Sequence, residues 1–447
     1  MSFIYFPRTV LRARAHWSPW RLFLLVSLAL FLALHWPLQI HTSADDYNLA
    51  QEVVVQGVGG STVREVMLIA LCIVALVSLR SGSKTQRLQM QGLLGWLLIA
   101  FVAWASMSAM WSDDLPLTFK RLVAFAILCI VAFAVARRLS PREIILWTFY
   151  TTALYLVIAI FAELVTGIFH PFSYGYRFSG VQHPNGEGIE CGFLVLSGLV
   201  AGNTETQNRR RYWGFGFLGF IFLVLSASRT ALIGTLLAVA VYAITISSSK
   251  TKVMLLPAFL TLASLLIFLL GTGLSSPWQR AITMGRVDVA DSPDSFSGRT
   301  VIWKDVGPYI GERPITGYGY QTFWTPRRLT VISDEEQWDV PDSHSAYVDC
   351  LLTLGIVGLV LFALSLLSGL WQVFAFYRDT RNPCFAFFAG VLIFCLISGF
   401  LESALGEGGM LTLISLIVLI RLAFVPPAAS VRSPAGTFSV TKEICPA

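Results

Sequence analysis

The stretch "VPDSHSAYVDCLLTLGIVGLVLF", residues 340–362, changes within a few positions from polar to almost wholly apolar. Asp342, Ser343 and His344 stand in a row just before the apolar run. Because a membrane-spanning helix needs about 20 mostly apolar residues, this run predicts a span. His344, one of only six histidines, is therefore expected where the chain enters the bilayer.

The composition of the whole chain favours a membrane protein. Of its 447 residues, 55% are hydrophobic and 13% are charged, whereas soluble proteins carry about 25% charged residues. The net charge of +6 is spread over short connectors, which argues against a nucleic-acid groove. The seven cysteines show no CxxC or Cys/His spacing, so no disulfide or zinc framework is predicted.

Apolar runs predict about twelve transmembrane helices. They lie near 20–40, 63–79, 91–110, 120–136, 143–165, 186–201, 212–227, 229–247, 252–274, 345–373, 383–402 and 409–425. The first run is longer than the 7–15 apolar residues of a signal peptide, which favours a retained helix.

The connectors between these runs alternate in charge. One set is basic: Arg80/Lys84/Arg87, Arg137/Arg138/Arg142, Arg209/Arg210/Arg211, Lys250/Lys252 and Arg378/Arg381. With twelve spans, this set and both termini fall on one side, which the positive-inside rule makes the cytoplasm. We therefore predict an all-α polytopic membrane protein with one large outer loop between helices 9 and 10. In a bacterial inner membrane, which the family resemblance given below implies, this loop is periplasmic.

This topology divides the chain into four parts. Residues 1–274 hold helices 1–9, residues 275–343 the periplasmic loop, residues 344–425 helices 10–12, and residues 426–447 a cytoplasmic tail. Loops longer than about 15 residues are uncommon and usually functional. The long loop is expected to contain short helices, one of them near 298–310.

Several polar residues on the predicted outer side are candidates for a binding site. Arg229, in "SASRTALIG", follows Ser226 and Ser228 at a predicted helix start, where backbone N–H groups favour an anion. Its guanidinium can donate paired hydrogen bonds to phosphate oxygens. The alternative to phosphate binding is an arginine at a helix end that snorkels to the membrane interface.

In "YGYRFSGVQHPNGEG", Arg177, His183 and Asn185 either bind substrate or belong to a turn, with Asn185 capping the next helix.

The long loop and the residues after it add further candidates. In "SGRTVIWKDVGPYIGERPITGYGYQTFW", arginines and tyrosines could stack on sugars and bind phosphate, or could form the core of the loop: Arg299, Arg313, Tyr318 and Tyr320. His344 is either a general base, which Asp342 could orient, or a polar cap at the interface. The sequence contains no HExxH, outer-face DxD or Walker motif, so neither a metal nor a cofactor is predicted.

Taken together, these segments resemble the O-antigen ligase/polymerase superfamily of bacterial envelope enzymes. The resemblance covers roughly residues 100–425 and includes "RFSGVQHPNGEG", "SASRTALIG", "SGRTVIW…ERPITGYGYQTF" and "DSHSAYVDCLLTLGIVGLVL". It implies a metal-independent, inverting membrane glycosyltransferase. Such enzymes transfer a glycan from undecaprenyl diphosphate, at the periplasmic face, to a hydroxyl of an acceptor sugar.

The resemblance also implies roles for individual residues. Arg229 and Arg299 match the arginines that hold the diphosphate, and His344 matches the histidine that acts as a base or orients the acceptor. Arg177 matches the arginine of the glycine-rich segment. The expected partners are the lipid-linked glycan, an acceptor that is either a lipid-linked repeat unit or lipid A–core, and membrane lipids, but no nucleic acid.

The segments "MSAMWSDDLPLTFKRL" and "ITGYGYQTFW" look more like the exopolysaccharide-polymerase branch than like the ligases. Ser345 and Thr353 stand where the family often has Asn and Glu, which leaves an O-antigen ligase as an alternative. A flippase or transporter of lipid-linked oligosaccharides is the other alternative. It would place functional groups on both faces, whereas the candidates here cluster on one.

Overall fold

The computed structural model describes residues 28, 62–80, 87–173, 175–248, 251, 299–336, 340, 342–403 and 409–427. Four predicted segments lie outside the described residues. They are the span near 20–40 (except Leu28), the span at 252–274, loop residues 275–298 and the tail from residue 428.

The described residues form helices and connecting turns, without a β-strand among them. In chain order the α-helices are α1 Thr62–Arg80, α2 Gly92–Met107, α3 Leu115–Arg138, α4 Pro141–Thr166, α5 Pro184–Thr204, α6 Arg209–Leu225, α7 Arg229–Ile246, α8 Arg299–Glu312, α9 Pro326–Glu336, α10 Ala346–Thr380, α11 Pro383–Leu401 and α12 Met410–Phe424. Ten of the twelve predicted spans fall within the described residues, and each is a helix. The short helix expected near 298–310 is α8.

Six of the described helical stretches are long and apolar enough to cross a membrane. They are Gly92–Met110, Leu115–Arg138, Pro141–Thr166, Arg229–Ile246, Ala346–Thr380 and Pro383–Leu401, and Met410–Phe424 is apolar but shorter. These helices make the chain a multi-pass membrane protein. The count of twelve crossings and the periplasmic position of the loop stay predictions.

Local sequence signals explain where several helices begin and end. At the start of α4, Ser140 and Glu143 form a reciprocal capping box, and Pro141 occupies the first helical position. The helix ends at Gly167, whose φ of 72° is the left-handed conformation that glycine adopts readily. Ser228 accepts a hydrogen bond from the backbone of Ala231 and so caps α7.

Small residues allow the central helices to pack closely. A Cβ atom at Gly198 of α5 would lie 2.9 Å from the carbonyl oxygen of Tyr212 and 3.0 Å from the Cα of Gly216, both in α6. In the same way, Gly192 of α5 accommodates Phe394 of α11, whose ring is buried. Such close approach of backbones is typical of helices that associate within a membrane.

The described contacts bring the connector between α3 and α4 together with the segments that end α5 and α12, at one end of the helix bundle. Arg142, the second residue of α4, forms an ion pair with Glu205, which directly follows α5. At the end of α12, Arg421 donates hydrogen bonds to the carbonyl oxygens of Ala136 and Leu139. The predicted grouping of all five basic connectors on a single side stays a prediction.

Helix α10 is interrupted at Gly355, whose φ of 66° and ψ of −169° are not helical. The interruption frees backbone groups, and residues 314–319 of the long loop pair with them. Three backbone hydrogen bonds join the two segments: Ile356 N to Pro314 O at 2.8 Å, Tyr318 N to Leu352 O at 2.9 Å, and Gly319 N to Thr353 O at 2.9 Å. Irregular backbone in a predicted span is tolerated here because it is buried against protein.

The part of the loop that contains α8 and α9 has its own apolar core. Buried side chains from both helices and from the segment between them pack against Leu352 of α10: Ile302, Val306, Tyr318, Phe323, Trp324, Leu329 and Ile332. This core, together with the pairing at Gly355, attaches the loop firmly to α10.

Replacing Gly355 with alanine is expected to destabilise the protein. Its backbone conformation is nearly exclusive to glycine, with a strain of roughly 1–3 kcal/mol for other residues, and an added Cβ would lie 2.1 Å from the carbonyl oxygen of Ile315. The measurement is the thermal unfolding midpoint of the purified protein in detergent. Gly307→Ala is the control, because no atom lies within 4 Å of a Cβ at that helical position. Equal midpoints for the two variants would contradict the role assigned to Gly355.

Candidate functional site

A buried ion pair between Arg299 and Glu402 lies at the end of the bundle away from Arg142 and Arg421. Arg299 is the first residue of α8, and Glu402 directly follows α11. Nη2 of Arg299 lies 3.0 Å from Oε1 of Glu402, and each side chain is about 10% exposed. Burial raises the pKa of Glu402 above the ordinary value of a glutamate, although attraction to Arg299 and His344 opposes this rise.

Asn185 connects this ion pair to Arg177. Its Nδ2 donates to Oε1 of Glu402 at 2.9 Å, and its Oδ1 accepts a hydrogen bond from Nη2 of Arg177 at 2.9 Å. Nε of Arg177 donates in turn to the carbonyl oxygen of Ser226 at 3.2 Å. The four side chains Arg177, Asn185, Glu402 and Arg299 thus form one hydrogen-bonded chain, which we call the arginine network.

The cap of α5 differs from the sequence prediction, which gave that role to Asn185. The helix begins at Pro184, and His183 is the N-cap residue, its Nδ1 accepting a hydrogen bond from the backbone of Asn185 at 3.3 Å. The prediction was wrong because a histidine is an unusual cap, and Asn185 is instead held by two charged partners. His183 is exposed to solvent beside the arginine network.

Arg229 is the first residue of α7 and is partly exposed. The turn before it packs against the start of α5, since a Cβ at Gly188 would lie 2.8 Å from both Ser226 Oγ and Ser228 Cβ. The carbonyl oxygen of Ser226 also accepts the hydrogen bond from Arg177. Arg229 therefore lies three residues along the chain from a direct partner of the arginine network. Helix α7 therefore points its N-terminal end, where backbone N–H groups favour anions, toward this region.

His344 has a left-handed backbone conformation with φ of 51°. This conformation costs about 1–2 kcal/mol for a residue with a Cβ, and such strain concentrates at functional sites. Oδ1 of Asp342 accepts a hydrogen bond from the backbone N–H of His344 at 2.7 Å and lies 3.6 Å from Nδ1 of its ring. Asp342 therefore contacts His344 and lies on the Nδ1 side of the imidazole.

The backbone around His344 is fixed by hydrogen bonds from several elements. Nε1 of Trp303, in α8, donates to the carbonyl oxygen of Ser343 at 2.8 Å. The backbone N–H of Ser343 donates to Asp349 at 3.4 Å, and Nε1 of Trp324 donates to the same carboxylate oxygen at 2.9 Å. Helix α8 thus carries Arg299 and also, one turn later, the tryptophan that holds the residue next to His344.

Arg313 and Tyr318 lie in a separate cluster. Arg313 forms an ion pair with Asp113 at 2.7 Å and stacks on the Tyr318 ring at 4.6 Å. Arg328 pairs with the other oxygen of Asp113 at 2.7 Å and stacks on the same ring at 4.5 Å. Tyr318 is only 2% exposed. Through these contacts, Arg313 and Tyr318 help to join the loop to the segment that follows α2. Their predicted contact with substrate stays a prediction.

Tyr320 is likewise packed inside the protein. It is 9% exposed, and its ring centroid lies 5.2 Å from that of Phe125 in α3. Its backbone N–H donates to Ser108 Oγ at 2.9 Å. Of the alternatives left open for the loop aromatics, the contacts of Tyr318 match a role in the core of the loop. Tyr320 instead packs between the loop and the helices α2, α3 and α10.

Sequence reasoning missed the importance of three buried glutamates. Glu402 was not among the predicted site residues, although it is the centre of the arginine network. In α4, Glu163 is 1% exposed and accepts hydrogen bonds from the backbones of Ser179 and Gly180. Glu187 of α5 is fully buried and accepts one from Tyr155. A carboxylate within an apolar run is itself a signal, because it is costly there unless paired.

The chain matches a known family over about a third of its length. Residues 214–363 match the family described as O-antigen ligase, a range that runs from α6 into α10 beyond Gly355. It contains Arg229, Arg299 and His344, whereas Arg177, Asn185 and Glu402 lie outside it. The match confirms the expected resemblance and supports a membrane glycosyltransferase of the O-antigen ligase/polymerase type in general. No curated protein matches the chain.

Replacing Trp303 with phenylalanine is expected to loosen the backbone around His344. The change removes the indole donor to Ser343, and one hydrogen bond of about 0.5–1.5 kcal/mol corresponds to roughly 2- to 12-fold faster exchange. The measurement is amide hydrogen exchange of the peptide that contains residues 342–346. Trp371→Phe is the control, because Trp371 lies on an exposed face of α10. Unchanged protection in Trp303→Phe would contradict the assigned contact.

Proposed function

From the match of residues 214–363 to the O-antigen ligase family, we propose that this protein is an inverting, metal-independent membrane glycosyltransferase. Its donor is a glycan on undecaprenyl diphosphate, and its reaction is the polymerisation of polysaccharide repeat units at the periplasmic face of the inner membrane. The expected domain division of the chain, with both termini in the cytoplasm, is part of this proposal.

The structural observation that best supports the proposal is the grouping of arginines beside His344. Arg177 and Arg299 are linked through Asn185 and Glu402, and Arg229 begins the helix next to them. They lie at the end of the bundle opposite Arg142 and Arg421. In the predicted topology this is the outer end, where the positive-inside rule gives an arginine no topological role. Cations at this end suit an anionic group that arrives on a membrane lipid.

The arginines act on the leaving group. When the bond between the anomeric carbon and the phosphate oxygen breaks, its electron pair stays on undecaprenyl diphosphate. Arg229 and Arg299 stabilise this developing negative charge, as does the N-terminal end of α7. Because a diphosphate already leaves readily, charge stabilisation contributes more than proton donation.

His344 acts on the acceptor. As the acceptor oxygen bonds to the anomeric carbon from the opposite face, its proton passes to the imidazole, and the configuration inverts. Asp342, 3.6 Å from Nδ1, stabilises the imidazolium that forms. The left-handed backbone and the hydrogen bond from Trp303 to Ser343 hold the ring in place.

The choice of a polymerase rests on the resemblance of "MSAMWSDDLPLTFKRL" and "ITGYGYQTFW" to that branch. The alternative acceptor is lipid A–core, as in an O-antigen ligase, which is favoured by the description of the matched family. Purified protein supplied separately with each acceptor distinguishes the two. A longer lipid-linked glycan indicates a polymerase, and glycan attached to lipid A–core indicates a ligase.

His344→Ala is expected to reduce transfer by about 10²- to 10⁴-fold, the usual contribution of a general base. The measurement is release of undecaprenyl diphosphate by purified protein in nanodiscs, with amount and folding matched to wild type. His170→Ala is the control, since His170 lies in the turn after α4. Wild-type release by His344→Ala would rule out the base assignment, and glycan movement without release would indicate a transporter.

Arg229→Ala and Arg299→Ala are each expected to lower transfer by about 10²- to 10³-fold, because each removes a donor to the developing charge. Arg229→Lys and Arg299→Lys are expected to restore only part of the rate, since an ammonium group cannot donate two parallel hydrogen bonds as the planar guanidinium does. The same release assay measures both effects. Arg378→Ala is the control, because Arg378 is largely exposed and, among the described residues, forms an ion pair with its neighbour Asp379. Full activity in both alanine variants would contradict the proposed diphosphate site.

A further inference from the structure

Glu402 occupies a position that a carboxylate rarely holds without a specific reason. It directly follows α11 and is 7% exposed, at the edge of an apolar helix. A buried carboxylate is costly unless it is paired and hydrogen-bonded. A single oxygen of Glu402, Oε1, accepts from both Arg299 at 3.0 Å and Asn185 at 2.9 Å.

Through these two bonds Glu402 joins parts of the site that are distant in sequence. Arg299 begins α8, and Asn185 lies in the first turn of α5 and holds Arg177 at 2.9 Å. The main chain of Glu402 makes a third hydrogen bond, in which its carbonyl oxygen accepts from the backbone N–H of Ala346 at 3.2 Å. Ala346 begins α10 and lies two residues after His344.

We propose that Glu402 is a positioning residue that sets Arg299 and, through Asn185, Arg177 in one arrangement relative to His344. This inference rests on the proposed function, since it concerns how the same site is held together. Glu402 touches neither donor nor acceptor; it acts through the hydrogen bonds that its carboxylate accepts.

Two other roles for Glu402 predict different behaviour. If its carboxylate occupied the place of the diphosphate and had to leave Arg299 first, its removal would lower KM for the donor. If the ion pair served stability alone, its removal would lower the unfolding midpoint and leave kcat of the folded protein unchanged. A positioning role predicts a loss in kcat, because a displacement of about 1 Å can cost roughly 10²-fold in rate.

The test compares Glu402→Gln and Glu402→Ala, with kcat and KM measured from release of undecaprenyl diphosphate. Glutamine offers an oxygen that can accept the same two hydrogen bonds, so it is expected to keep kcat within about 5-fold of wild type. Alanine removes the acceptor, and kcat is expected to fall by about 10²-fold. Glu205→Ala is the matched control: it removes an Arg–Glu pair at the opposite end of α5, about 30 Å away, and is expected to leave kcat unchanged.

Asn185→Ala keeps the proposal testable should Glu402→Ala fail to fold. This change removes the side chain that links Glu402 to Arg177 and leaves the pair of Glu402 and Arg299 in place, so kcat is expected to fall by about 10-fold. Where Glu402→Ala folds, adding Asn185→Ala to it is expected to cause a loss smaller than the product of the two single losses, because Glu402→Ala has already removed the acceptor to which Asn185 donates.

Each other outcome overturns the proposal. A kcat for Glu402→Ala near the wild-type value, a lowered KM, a Glu402→Gln variant as inactive as the alanine variant, or losses that multiply would each reject positioning by hydrogen bonds. In these cases wild-type protein still releases undecaprenyl diphosphate, and the proposed function stands. Wild-type protein that releases none overturns the proposed function together with this inference.

Discussion

The rest of the site depends on the pairing between the interruption of α10 at Gly355 and residues 314–319 of the loop. A helix broken in a predicted membrane span leaves backbone groups that must find partners within the protein, since lipid offers none. Here the loop supplies them, with backbone hydrogen bonds of 2.8–2.9 Å. Only glycine tolerates the backbone conformation at Gly355, and only glycine fits beside Ile315.

This pairing has consequences at both ends of the loop. It anchors the segment that follows α8, and the apolar core around Tyr318 and Phe323 then fixes α8 against α10. Helix α8 in turn brings Arg299 to Glu402 and Trp303 to the carbonyl oxygen next to His344. The guanidinium and the imidazole are thus placed by one rigid element, which suits a site that must hold a leaving group and an acceptor together.

Hydropathy and charge predicted much of the fold but less of the site. The run expected at 383–402 is the helix Pro383–Leu401, because length and apolar composition determine a span almost alone. The break at Gly355 was not predicted, since it depends on a partner segment that is distant in sequence. Arg229, Arg299 and His344 were found because charge is conspicuous beside apolar runs, whereas the cap of α5 and the role of Glu402 depend on side-chain geometry. The reverse holds for Tyr318 and Tyr320, which were predicted to bind substrate but are buried. Tyrosine and glycine are suited to a ligand site, but they are equally suited to close packing inside the protein.

The central claim is that the lipid diphosphate binds at the arginine end of the bundle, next to His344. A cryo-electron microscopy structure of the protein in nanodiscs with undecaprenyl diphosphate tests this most directly. The account predicts phosphate oxygens within about 3.2 Å of the guanidinium nitrogens of Arg229 and Arg299. Diphosphate bound instead at the opposite end, among Arg142 and the arginines that begin α6, would contradict it.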